Sequence, residues 1–150
     1  MQPGFSTVDW ESWNTVGADN QVISKITSRP RFQSKDGRLY ELSYCATTDY
    51  ASTPAEVWGA PLFLTKTGWW SLPSAFHDNA FQNLLLVVNA DGSTQLAFPG
   101  KDTEGACNLL MMEMMQSIKP NPTLFEKAQM DAIYAGVTIG GWHAFKNDRA

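Results

Sequence analysis

The run Ser74-Ala75-Phe76-His77-Asp78-Asn79-Ala80-Phe81 sets an imidazole and a carboxylate side by side in apolar surroundings, and His143 is the other of the chain's two histidines. Helical spacing over Ser71 to Val88 puts Phe76, Ala80 and Phe81 on a core face, with His77 and Asp78 projecting about 100° apart beside it. A titratable group held next to a core needs a partner: a hydrogen bond, a metal or another carboxylate. Two readings follow. In one, His77 is a satisfied core histidine and Asp78 bonds nearby backbone; in the other, both belong to a working site.

Upstream, Ala46-Thr47-Thr48-Asp49-Tyr50-Ala51-Ser52-Thr53-Pro54 is dense in short side chains that bond to backbone, so it reads as a structured loop. Asp49 either caps the following turn or faces the helix, as a ligand or as the group that orients His77. Trp58, Pro61, Phe63, Trp69 and Trp70 then make an aromatic connection that reads as a small core under a long loop. Gln21 to Cys45 has the pattern of two or three antiparallel strands, with Lys35-Asp36-Gly37 as the turn between apolar runs. Pro30 belongs at a strand start or edge, where its missing N–H does no harm. Residues 1–20, with Trp10 and Trp13, show no sustained period; they are expected to form an extended arm or a short helical turn, docked on the body or on a neighbour.

Downstream, Asn89-Ala90-Asp91-Gly92-Ser93 is a strong turn, followed by a short strand over Thr94 to Phe98 or by a continued loop. Asp102 or Thr103 should cap a helix in which Ala106, Leu109, Leu110, Glu113 and Met114 recur at helical spacing. Met111, Met112 and Met115 make that helix apolar nearly all round, which calls for burial between two layers or between subunits. Asn121-Pro122 reads as the start of a last helix, running to about Gly140 or Gly141, with Trp142, His143 and Phe145 finishing the fold. The class expected is α+β: an N-terminal antiparallel hairpin or small sheet packed on a bundle of about three C-terminal helices. Residues 1–20 are the arm and 21–150 a single domain.

Composition narrows the partners. With 150 residues and a formal net charge of −4, the chain can bury one contiguous core, and its eleven Lys and Arg form no basic run. Nucleic acid is therefore not expected as a partner, since phosphate binding draws on clustered cations. Charged residues are only 17% and hydrophobic ones 43%, a balance that favours packing against other chains or an apolar ligand. Cys45 and Cys107 lack C-x-x-C spacing, so neither a zinc ribbon nor a dithiol motif is supported. Met1 to Asp19 has no apolar signal-like run, and the apolar stretch Ala132 to Phe145 is too short to span a bilayer, so no transmembrane segment is expected.

In their order, these motifs resemble an uncharacterised family found mainly in phage and prophage genomes, filed as domain of unknown function 1353. That family shows a hairpin, then T-D-x-A-S-x-P, then H-D-x-L-Y on a helix, then A-D-x-x-F-x-x-x-M on a second helix. Thr48-Asp49-Tyr50-Ala51-Ser52-Thr53-Pro54 matches the first motif in full, and His77-Asp78-Asn79-Ala80-Phe81 keeps H-D with an aromatic at the Tyr position. The resemblance covers roughly residues 25 to 145. In the second-helix motif, Ala106 is followed by Cys107 and Asn108 where the family has Asp, while Met114 or Met115 keeps the Met. The helix pair is also similar, by analogy alone, to that of small secreted phospholipases A2, in which a His activates water and the adjacent Asp binds calcium. The glycine-rich calcium loop and the disulfides of those enzymes have no counterpart here, and the second-helix carboxylate is missing unless Asp102 or Glu104 replaces it.

The resemblance implies a phage-derived protein, a virion or tail-associated structural component in which His77, Asp78 and Asp49 form a buried polar network. Its partners would be other virion proteins or further copies of itself; it would be made in the host cytoplasm and incorporated into the particle. The alternative is a hydrolase acting on host-envelope lipid or peptidoglycan, with His77 as general base and Asp49 or Asp78 orienting it or binding metal. His77, Asp78 and Asp49 would then hold calcium or zinc, with His143 as a further ligand. A third reading is a small phage effector that binds a host protein.

Overall fold

The computed structural model describes residues 4–6, 10–13, 23–26, 29–43, 47–48 and 69–148, with side chains over 4–6, 29–43 and 69–138. Among the described residues, eight short strands and three helices follow in chain order: β1 (Gly4–Phe5), β2 (Trp10–Trp13), β3 (Ile23–Ile26), β4 (Arg31–Gln33), β5 (Leu39–Glu41), β6 (Thr47–Thr48), α1 (Ser71–Phe81), β7 (Leu86–Val88), β8 (Thr94–Leu96), α2 (Glu104–Ile118) and α3 (Leu124–Asp148). The α+β class expected from the sequence is the one observed.

Asp36-Gly37 makes the turn that its chemistry predicts. Gly37 sits at φ +94, a backbone conformation costly for a side-chain-bearing residue, and the Ser34 N–H donates to the Arg38 carbonyl at 2.9 Å. The resulting hairpin pairs Phe32 with Tyr40, which puts two buried aromatics on one face. Pro30 stands just before β4, and its carbonyl accepts the Leu42 N–H at 3.1 Å. The five-stranded sheet has the order β1-β4-β5-β7-β8 and every pairing is antiparallel. A second sheet, β2-β3-β6, is also antiparallel.

Within residues 1–20, expected as an extended arm or a short helical turn docked on the body or on a neighbour, Gly4–Phe5 is extended and pairs with β4, and Trp10–Trp13 pairs with β3. Two local expectations change. The helix expected from Ser71 to Val88 stops at Phe81. Asn83 adopts φ +60 beyond it, and the β-branched Val87 and Val88 enter β7 beside β5. The last helix starts at Leu124, not at Asn121-Pro122, and runs unbroken to Asp148 through the Gly140-Gly141 pair. Its start is a reciprocal cap: the Glu126 N–H donates to Thr123 Oγ1 at 3.1 Å, and the Thr123 N–H donates to Glu126 Oε1 at 3.0 Å.

Two apolar cores lie on either side of α2. Cys107, Leu110 and Met114 join Phe32, Tyr40, Leu42, Phe76 and Phe81 against the sheet and α1. One step round the helix, Met111 and Met115 join Trp70, Met130, Ile133 and Val137. Burial on two faces is what a methionine helix apolar nearly all round requires. Leu109 marks its outer side, 62% exposed. The hairpin is fastened to this central helix by Glu113, whose carboxylate accepts Ser34 Oγ at 2.8 and 3.0 Å and the Lys35 N–H at 3.1 Å.

Candidate functional site

Helix α1 turns one face to the sheet and another to α2. Ala75, Phe76 and Ala80 go into the sheet-side core, while Trp70, one residue before the helix, goes into the methionine core. Ser74 lies a turn beyond Trp70 and is buried, its Oγ donating to the Trp70 carbonyl at 2.8 Å. His77 comes a turn later. Its Nε2 lies 2.7 Å from Asn108 Oδ1 on α2, and the two residues are 7% and 3% exposed. The Phe81 ring, one turn further on, stands 4.1 Å from the imidazole at 42°. The histidine is thus enclosed by a helix neighbour, an aromatic ring and a carboxamide from the facing helix.

Asp78 is adjacent to His77 on α1 and half-buried; its main-chain carbonyl accepts the Gln82 N–H at 3.0 Å as the helix closes. Strand β6 packs against α1 and ends at Thr48, so the chain arrives beside the His77 helix one residue before Asp49. Asp49 itself lies outside the described residues, as do Cys45, Trp58 and the rest of residues 49–68. His143 falls within α3, beyond the side chains described. Among the described residues, no three His, Cys, Asp or Glu side chains gather into a metal-binding group.

Asn108 is the residue that sequence reading missed. It stood out only as a departure from the family's second-helix motif, yet it shares a helical face with the buried Met111 and Met115. A carboxamide on such a face needs a hydrogen-bond partner, and that need was the available signal. Neither Asp102 nor Glu104 fills the vacant carboxylate position opposite Nε2, because an uncharged amide oxygen sits there. Thr103 precedes α2 as the expected cap, but its Oγ1 donates to the Phe98 carbonyl at 3.1 Å and makes no side-chain bond to the helix start.

A second polar lining runs behind α1. The Ser43 N–H donates to Asn79 Oδ1 at 3.2 Å, and Ser43 Oγ donates to the Leu84 carbonyl at 2.5 Å. The Leu84 and Leu85 N–H groups both donate to the Asn79 carbonyl. At the other end of α1, the Trp69 indole N–H donates to Gln129 Oε1 at 3.3 Å, and Lys119 Nζ lies 5.8 Å from the Trp69 ring centroid. The exit of β5 and the start of α1 are therefore both tied to the body of the fold.

Compared with family models, with curated proteins and with solved structures, the chain matches none.

Proposed function

We propose that this is a phage-derived structural protein, a virion or tail-associated component, in which His77 belongs to a buried polar lock between helices. The observation that carries the reading is the 2.7 Å bond from an almost wholly buried imidazole to a carboxamide. A satisfied polar pair inside a helix interface fixes one packing arrangement without doing chemistry. The phage origin rests on the motif resemblance, and the docking role draws support from apolar side chains left in solvent, Leu109, Leu124 at 89% and Phe125. Other virion proteins or further copies of the chain are the partners. The test is mass spectrometry of purified particles together with light scattering of the isolated protein. Presence in particles or self-association is expected; a strict monomer absent from particles overturns the reading.

One observation favours a hydrolase as the second reading. An imidazole held by a side-chain oxygen is oriented in the way a general base requires. Here His77 would activate water against an ester, amide or glycan bond of the host envelope, and Asp78 and Asp49 would orient it or bring calcium or zinc. Since Nε2 faces Asn108, a metal would have to take the other ring nitrogen. Elemental analysis of the protein and of its His77→Ala and Asp49→Ala variants tests the metal. Envelope hydrolysis unchanged in His77→Ala removes the base.

A further inference from the structure

We infer that Asn108 is a positioning residue that holds the His77 imidazole in one orientation, with a proton on Nε2 directed at Asn108 Oδ1. This rests on the reading of His77 as a buried lock and specifies the state in which it is held. A carboxamide oxygen only accepts hydrogen bonds, so an Nε2 standing 2.7 Å from Asn108 Oδ1 must carry the proton between them. Both residues are more than nine-tenths buried, which leaves little room for water to replace the bond. The Phe81 ring lies against the imidazole at 4.1 Å and resists the ring flip that would exchange the two nitrogens.

The chain suits a direct measurement, having two histidines. His143→Gln leaves a single imidazole, whose nitrogen resonances in the full-length labelled protein report the tautomer by long-range proton–nitrogen NMR at neutral pH. Nε2–H should exceed the other tautomer about tenfold or more. Asn108→Asp keeps the accepting oxygen and should keep Nε2 protonated; Asn108→Leu removes it and should give averaged nitrogen signals. Should Asn108→Leu not fold, the parent and Asn108→Asp spectra decide alone. A bare Nε2 with the proton on Nδ1 alone, as a reversed Asn108 amide would impose, overturns the inference, and so do averaged nitrogen signals in the parent protein. The outcomes separate from those of the structural reading: a fixed Nε2–H in a protein absent from particles removes only the virion role, and a mixed tautomer in a particle protein removes only this assignment.

Discussion

At residue scale, His77 and Asn108 depend on each other. His77→Ala takes the imidazole from a buried amide oxygen, and leaving such a group unsatisfied costs about 1–3 kcal/mol, readable as a lower urea midpoint with an unchanged slope. Asn83 is the other sensitive position, since its φ of +60 is tolerated by Asn and Gly far better than by branched side chains. Asn83→Val should destabilise by about 1–2 kcal/mol while Asn83→Gly stays near neutral, both by thermal unfolding. The sequence made clear that His77 needed a partner, because an imidazole within an apolar run demands one. It did not name Asn108, 31 residues away, because helical spacing assigns faces within one helix and says nothing of the rotation of the helix it meets.

At the scale of elements, α3 gives the sharpest test. Thr123→Ala breaks half of a reciprocal cap and should cost about 1 kcal/mol. The bond from Lys119, 2.7 Å away, and then that from the Thr123 N–H hold the Glu126 carboxyl below its ordinary value of 4.5. A depressed folded-state pKa contributes stability that is complete above the unfolded value and is lost as pH falls through the folded one. A Glu126→Gln variant should therefore lose less stability on acidification than the parent, seen by comparing urea midpoints at neutral pH and below 4.5. This cap also shows where pattern reading failed. Asn121-Pro122 and Thr123-Leu124-Phe125-Glu126 both look like helix starts, and the second prevails because its two side-chain bonds satisfy donors at the first turn. Likewise the periodicity of α1 ran on past Phe81 because Leu84, Leu85 and Leu86 suit a helix and a strand equally well, and pairing with β5 decided between them.

For the molecule as a whole, α2 is the hub, with an apolar core on each side and the hairpin carboxylate clamp at Glu113. Glu113→Ala leaves Ser34 Oγ and the Lys35 N–H without their acceptor and should cost about 1–3 kcal/mol, with amide exchange rising first in β4 and β5. The sheet has a further consequence, and it concerns time. β4–β5 and β7–β8 are local hairpins of a kind that closes in about 1–10 μs, but β5 and β7, neighbours in the sheet, are separated in the chain by all of α1 and everything from Leu42 to Trp70. Their junction carries a longer loop closure than the pairing of β1 with β4, the other non-local junction of the five-stranded sheet. Contact order therefore predicts that the two hairpins form before β5 meets β7, so substitutions at Tyr40 or Val87 should slow refolding more than substitutions in either turn, as stopped-flow kinetics would read.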